Sequence, residues 1–150
     1  MSKLAAAADR FEASDAETLA ELCHSPTSNC AVAATWIAKA LFEAGRADAL
    51  DIGRIFAALG QAPHWEVALH ILQMAQFAPK AAAAQLAEIA RLLHHDKTLV
   101  RAWALDAYCR AATVVPAERP RARDLVQAAL ADPKASVRAR ARKLVALLDG

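Results

Sequence analysis

The sequence predicts an all-α protein, and three observations support this fold class. Glycine and proline number only four and six in the 150 residues, so the chain contains few helix breakers. Alanine, the strongest helix former, is abundant, and apolar residues recur at intervals of three and four along most of the chain. In addition, a helix–turn–helix pattern recurs along the chain, which predicts a repeat architecture.

The first predicted elements are a short helix and one helical pair. Residues 3–12 form the short helix. Ser14 and Glu17 have the spacing of a capping box, which predicts the start of the next helix. Asn29 is expected to cap the second helix of the pair, and Gly45 is expected to close it. The residues expected to be buried in this pair are Leu19, Leu22, Cys30, Ala34, Ile37, Ala38 and Leu41.

The second pair is predicted from aspartates and a proline. Its first helix is expected to start near Asp48 or Asp51 and to stop at Gly60. Pro63 suits the first position of the partner helix, where no backbone N–H is needed. The residues expected to face inward are Ile52, Ile55, Phe56, Leu59, Ala68, Ile71, Leu72 and Ala75.

Prolines also mark the third and fourth pairs. Pro79 is expected to begin the third pair, with residues 94–96 as its turn. Pro116 and Pro120 bracket the start of the fourth pair. The residues expected to be buried here are Leu86, Ile89, Ala90, Leu93, Val100, Ala104, Ala107, Tyr108, Ala111, Leu125, Val126, Ala129 and Leu130.

Residues 132–148 give the clearest helical pattern of the chain. Pro133 is expected to end the preceding helix, and Ser136 to cap the new one. Apolar residues then recur at the period of 3.6 that is typical of an amphipathic helix. The predicted buried face is Val137, Ala141, Leu144, Val145 and Leu148.

Repetition of the helical pair predicts how the helices are arranged. The second helices align on residues spaced 34, 36 and 37 positions apart, namely Cys30, His64, Val100 and Val137. A two-helix unit of this period is typical of a stacked α-solenoid, because no single pair can bury its apolar face. We therefore predict one domain, residues 1–150, preceded by the short N-terminal helix. Its repeats lie at about 14–45, 46–78, 79–115 and 116–150.

The last two repeats share a motif in which an aspartate in the turn precedes a Val-Arg pair in the second helix. The motif residues are Asp132, Val137 and Arg138 in one repeat, and Asp96, Val100 and Arg101 in the other. These residues resemble the HEAT-like repeat family, especially the repeats of phycobilisome lyase subunits. In the first repeat, Ser25 and Ala31 stand at the positions of the aspartate and the arginine. The resemblance implies a right-handed α-solenoid whose aspartate and arginine side chains pair in or between turns.

Charge is unevenly distributed along the chain. Residues 1–99 carry 8 Lys and Arg against 11 Asp and Glu, a net charge of −3, whereas residues 100–150 carry 10 against 5, a net charge of +5. The basic half points mildly to an anionic partner. Three cysteines without CxxC spacing indicate a reducing compartment rather than a disulfide framework. Because no apolar run is long enough for a membrane span, we expect a cytoplasmic protein.

Binding to a protein partner is the function that we predict first. The resemblance implies that the second helices line a concave face on which partners dock. Tryptophan and arginine are frequent anchors of protein interfaces. The residues predicted to bind a partner on this face are Trp65, Leu69, Arg101, Leu105, Arg138 and Arg142. Alternatively, Arg101 and Arg138 simply pair with the turn aspartates.

Nucleic-acid binding is the alternative, because basic residues are concentrated near the C-terminus and some HEAT-like proteins hold DNA on a basic face. The residues predicted to contact phosphates are Arg119, Arg121, Arg123, Arg138, Arg142 and Lys143. These charges equally suit the polar outer face that a terminal solenoid helix needs.

A third possibility is an enzyme or a ligand-binding subunit that uses the concave groove, walled by Trp65, Leu69 and Leu105, with Asp106 as its only candidate carboxylate. We expect no enzyme, because phosphate-binding loops and nucleophile motifs are missing. We also expect no cofactor and no metal. Cys23, His24 and Cys30 around one turn, and the His94-His95 pair in another, do not supply the four ligands of zinc.

The tryptophans carry a further prediction. Trp36 is expected near the edge of the core, whereas Trp65 and Trp103 are expected to be partly exposed and to mark a contact surface. For Trp103, ordinary filling of the alanine-rich core is the alternative. The sequence does not indicate an oligomeric state.

Overall fold

A computed structural model describes residues 2–150 and contains ten α-helices within that range, with no strand among those residues. The helices are α1 Lys3–Arg10, α2 Ala16–Cys23, α3 Ser28–Glu43, α4 Ile52–Ala57, α5 Trp65–Met74, α6 Pro79–Ala83, α7 Leu86–Leu92, α8 Thr98–Val114, α9 Arg119–Leu130 and α10 Ala135–Asp149. Short 3₁₀ turns at Ala13–Asp15, Ala58–Gln61 and Pro116–Glu118 adjoin α2, α4 and α9. The all-α prediction is confirmed.

The helices form two compact units, one that ends at Met74 and one that comprises Ala75–Gly150. In the first unit, α1, α2 and α5 pack against α3. Gly45 follows α3 with a φ of 67°, the left-handed conformation that closes a helix and favours glycine. The next residue, Arg46, donates to the carbonyl oxygens of Ala8 and Phe11 at 3.0 and 2.9 Å, which ties this turn to the end of α1.

In the second unit, α8 is the central helix, and α6, α7, α9 and α10 pack around it. Ten of its 17 residues are buried, including Val100 and Tyr108. Alanines at contact positions let the helices approach closely, so α8 is almost surrounded by other helices. The buried face of α10 is the predicted one at Val137, Ala141, Leu144 and Leu148, whereas Val145 is half-buried.

Several boundaries in the first unit differ from the prediction. The capping box joins Glu12 and Asp15 rather than Ser14 and Glu17, because a 3₁₀ turn precedes α2. Helix α3 begins at Ser28, so Asn29 lies inside it and does not cap it. Asp51 caps α4 as one of the two predicted aspartates, with its carboxylate accepting from the backbone N–H of Arg54 at 3.1 Å. Residues predicted to be buried but found exposed are Leu22 and Cys30.

Two further predictions about helix starts are wrong. Pro63 lies two residues before α5 and is not its first helical residue, whereas Pro79 does open α6. Ser136 lies within α10, whose first helical residue is Ala135. The single helix predicted after Pro79 is also divided into α6 and α7 around Ala84 and Gln85. Predicted core residues that are only half-buried are Ile37, Ile52, Leu86, Ala90, Leu93, Leu125 and Leu130.

A turn of constant geometry precedes three of the second helices. The side chain of one residue accepts a hydrogen bond from the backbone N–H two positions later, and the helix begins one residue after that. The bonds are from Thr27 to Ser25 Oγ at 3.2 Å, from Lys97 to His95 Nδ1 at 3.0 Å and from Lys134 to Asp132 Oδ1 at 2.8 Å. His95, not Asp96, therefore occupies the position of Asp132, and the predicted motif in the third repeat is shifted by one residue.

The arginines of the motif bind the same turns. Arg101 donates to the carbonyl oxygen of His95 at 3.2 Å, and Arg138 donates to that of Asp132 at 2.7 Å. Each arginine lies six positions after the turn residue. The expected pairing with aspartate side chains is thus replaced by a bond to the backbone of the turn.

Candidate functional site

The residues predicted to bind a partner are distributed over both units. Trp65 and Leu69 belong to α5 in the first unit, where Trp65 is half-buried and Leu69 is buried. The other four belong to α8 and α10 in the second unit. Of these, Leu105 is buried, Arg101 and Arg138 are half-buried with their guanidinium groups bonded to turns, and Arg142 is exposed.

Arg101 and Leu105 line a groove in the second unit. The groove has a volume of about 170 Å³ and lies between the ends of α7 and α9 and the starts of α8 and α10. Leu93, Leu125 and Val137 form part of its apolar wall. Its volume suits one or two side chains and is smaller than the cavities that hold drug-sized ligands.

A cluster of charged and aromatic side chains lies on another side of α8. Asp106 is buried, with its side chain only 2% exposed, and its two carboxylate oxygens accept from Arg110 Nε and Arg140 Nη1, each at 3.2 Å. The guanidinium carbon of Arg140 lies 3.8 Å from the ring centroid of Trp103, so the guanidinium stacks on the indole. We call Trp103, Asp106, Arg110 and Arg140 the arginine–tryptophan cluster.

This cluster reaches the protein surface. The side chains of Arg110 and Arg140 are 32% and 23% exposed, and Trp103 is half-buried, which agrees with its expected partial exposure. Spacings of three and four residues place Leu99 and Val114 on the same side of α8 as Trp103 and Arg110. Leu99 and Val114 are exposed large apolar residues, so the cluster lies within a partly apolar surface.

Part of this cluster was readable from the sequence. Asp106 and Arg110 have the i, i+4 spacing of a helical ion pair. Trp103 and Arg140 are 37 residues apart, the same interval that separates Val100 from Val137, so they hold equivalent positions on α8 and α10. The contact of Asp106 with Arg140 was not readable from the sequence, because it depends on how α10 packs against α8.

The basic residues predicted to contact phosphates do not form one row. Arg121 lies over the ring of Tyr108 at 5.4 Å, and Arg123 donates to the carbonyl oxygen of Leu148 at 3.1 Å. Arg138 is directed to the turn at Asp132. The remaining three are Arg119, which is half-buried, and Arg142 and Lys143, which are exposed. Several of these cations thus serve local contacts on different helices.

Buried titratable side chains are found in both units. Burial raises the pKa of the Cys23 and Cys109 thiols to about 12, so both remain protonated at neutral pH. Burial, followed by the hydrogen bond that Tyr108 donates to Glu118, raises the pKa of Tyr108 to about 12. Burial also lowers the pKa of His70 to about 4, and its Nδ1 is hydrogen-bonded to Thr35 Oγ1 at 3.0 Å. None of these groups is arranged as a nucleophile with its base.

The candidate metal ligands are separated in the structure. Cys23 is buried and Cys30 is exposed, while His24 Nε2 lies 2.7 Å from the carbonyl oxygen of Arg54. His95 is engaged in its turn, and its neighbour His94 is exposed. Among residues 2–150, no group of three or more His, Cys, Asp or Glu side chains is placed to hold a metal ion.

Comparison with protein-family models, with curated proteins and with solved structures finds no match to this chain. The resemblance to HEAT-like repeats therefore remains a prediction that rests on the motif residues and on the turns they form. No helix in the part of the chain that the structure describes combines the length and the apolarity needed to span a membrane.

Proposed function

We propose that this protein is a non-enzymatic protein-binding module built from HEAT-like helical pairs, and that it binds its partner on the surface of α8 and α10. The repeat assignment is supported by the recurring turns at Ser25, His95 and Asp132 and by the two arginines that bond to the later turns. A right-handed α-solenoid is the arrangement that we propose for these pairs.

The observation that carries the proposed function is the stacked pair of Trp103 and Arg140 at the surface. Tryptophan and arginine are the residues most enriched at the energetic centres of protein interfaces, where an apolar surround excludes water. Leu99 and Val114 supply exposed apolar surface on the same side of α8. Together they offer an anchor with an apolar rim, which suits a protein surface.

This surface differs from the strip predicted from the sequence. That strip runs through Arg101 and Leu105, which face the small groove, and through Arg138, which is bonded to a turn. We propose that the arginine–tryptophan cluster, rather than this strip, supplies the main contact with the partner.

Capture of partners from native lysate, with and without nuclease, tests the proposed function. We expect a defined protein that is retained after nuclease treatment and lost with Trp103→Ala. Trp65→Ala, Arg138→Ala and Arg142→Ala test the strip that the sequence predicts, and Arg91→Ala, at an exposed arginine of α7, serves as the control. Circular dichroism melting must show that each variant is folded. Nucleic acid in the eluate, with all proteins lost on digestion, would establish the nucleic-acid alternative instead.

A further inference from the structure

The arginine–tryptophan cluster also indicates the chemistry of the partner. We propose that Arg110, Arg140 and Lys143 bind carboxylates of an acidic protein segment that docks along α8 and α10. This inference rests on the proposed function and specifies the partner of the same surface.

The first argument is that the arginines are held in position with most of their donors free. Asp106 accepts from Arg110 and from Arg140, and each guanidinium uses one of its five N–H donors for this contact. Within residues 2–150, neither guanidinium donates to a second acceptor. Because the buried carboxylate fixes both side chains before binding, less rotamer entropy is lost when a ligand carboxylate arrives.

The second argument is the net charge of this surface. Two arginines and one aspartate leave a net charge of +1, and Lys143, one helical turn after Arg140 and exposed, raises it to +2. Asp106 is the only carboxylate in α8, and α10 contains none before Asp149. Asp106 therefore neutralises only one of the three positive charges, and a net charge of +2 is presented to a partner.

The third argument distinguishes an acidic protein from a nucleic acid. Binding of a nucleic-acid backbone needs a continuous row of cations. The cations of this surface do not form such a row, because the exposed apolar residues Leu99 and Val114 flank them on α8. An acidic segment that also carries apolar residues matches both parts of the surface. Stacking on Trp103 makes the Arg140 guanidinium less dependent on water, so its desolvation by a docked segment costs less.

Indole N–H resonances provide a direct test, because the three tryptophans report on different helices. Trp36 lies in α3, Trp65 in α5 and Trp103 in the cluster. The probe is a short peptide of alternating glutamate and leucine pairs, added to the ¹⁵N-labelled full chain at low salt. We expect the Trp103 indole resonance, assigned with Trp103→Phe, to shift far more than the other two. The peptide with glutamine in place of glutamate should bind about tenfold more weakly, since charge-assisted hydrogen bonds are lost.

Variants of the protein complete this test. Arg140→Gln should weaken binding of the acidic peptide about tenfold, whereas Arg91→Gln, a control at an exposed arginine of α7, should leave it within about twofold. Equal binding of the acidic and the glutamine peptides, or an unmoved Trp103 resonance, would overturn the inference. Tighter binding of an oligothymidylate with the same dependence on Arg140 would overturn it in favour of nucleic acid.

The two proposals fail in different ways. If lysate capture yields a protein that requires Trp103 but the acidic and the glutamine peptides displace it equally, the proposed function stands and the acidic partner is wrong. If no protein is captured through Trp103, the proposed function is wrong, whatever the peptide titration shows about the arginines.

Discussion

The carboxylate of Asp106 lies in a helix whose neighbouring residues are mostly apolar, and it is nevertheless almost fully buried. Removing a charge from water costs several kcal/mol unless partners offset it. This cost is several times the effect of a typical point mutation. Arg110 and Arg140 provide that offset by bonding one carboxylate oxygen each. Trp103 stacks on the Arg140 guanidinium and so also fixes one arm of this Arg110–Asp106–Arg140 triad, at the surface where we propose that the partner binds.

His70 gives the sharpest test of a single side chain. Burial lowers its pKa to about 4, while the unfolded chain keeps the ordinary value near 6.5. Lys39 lowers this pKa further, and Glu66 and Glu43 raise it. The folded state therefore favours the neutral imidazole. The contribution of His70 to the stability of the protein is complete above about pH 6.5 and is lost as the pH falls towards 4.

The expected loss is on the order of 3 kcal/mol in the free energy of unfolding between pH 7 and pH 4. Urea unfolding of the wild type and of His70→Asn measures it, since the variant keeps a polar atom near Thr35 but does not titrate. The difference between their pH profiles isolates His70 from the carboxylates. Parallel profiles would show that His70 is not buried as the structure places it.

The turns before α3, α8 and α10 share one hydrogen bond that three different side chains accept. A histidine nitrogen at His95 performs the task of the aspartate oxygen at Asp132, and a serine hydroxyl performs it at Ser25. Three chemically different side chains therefore satisfy one geometry, which a motif based on aspartate misses. Asp96 stands next to the turn position at His95, so the spacing from Asp96 to Val100 is one residue shorter than that from Asp132 to Val137.

Substitution at His95 tests this equivalence. We expect His95→Asp to retain the turn and His95→Ala to cost about 1 kcal/mol, because the N–H of Lys97 loses its acceptor. His94→Ala, one residue earlier and exposed, is the control and should change stability by less than about 0.5 kcal/mol. Thermal or urea unfolding provides the measurement. An aspartate variant as unstable as the alanine variant would refute the equivalence of His95 and Asp132.

The packing of α10 is tested by shortening one of its buried side chains. Leu144 is 1% exposed, and Leu144→Ala should lower the free energy of unfolding by about 2–5 kcal/mol. Leu99→Ala is the matched control in the same unit, because Leu99 is 45% exposed and should contribute about 0.5 kcal/mol or less. Equal effects of the two substitutions would mean that the register of α10 is wrong.

Helix type and buried faces were largely predictable, and helix ends were less so. The 3.6-residue pattern identified the inner face of α10, since charged residues separate its apolar ones, and it identified five of the ten buried residues of α8. The run of alanines from 81 to 84 has no such contrast, so the break between α6 and α7 was not visible. Capping residues at Ser14, Asn29 and Ser136 were misplaced because a 3₁₀ turn precedes α2, and because α3 and α10 begin without a side-chain cap.

The chain as a whole combines an acidic first part with a basic second part. The net charge of +5 over residues 100–150 was readable from the sequence, but the contacts that each cation makes were not. In the structure, Arg101, Arg123 and Arg138 bind backbone carbonyls, whereas Arg110 and Arg140 present donors at the surface. A charge count cannot separate these roles, because they depend on which helix end or carboxylate each side chain meets.

Carbodiimide cross-linking of the captured complex tests the central claim most directly, because it joins a bound carboxylate to a lysine amine without a spacer. Lys143 lies one helical turn from Arg140, and Lys134 in the preceding turn is an exposed control. We predict that peptide mapping finds Lys143 joined to aspartate or glutamate of the partner, and that Lys143→Arg abolishes this product. A partner joined through Lys134 or through lysines of the first unit, and never through Lys143, would contradict the account.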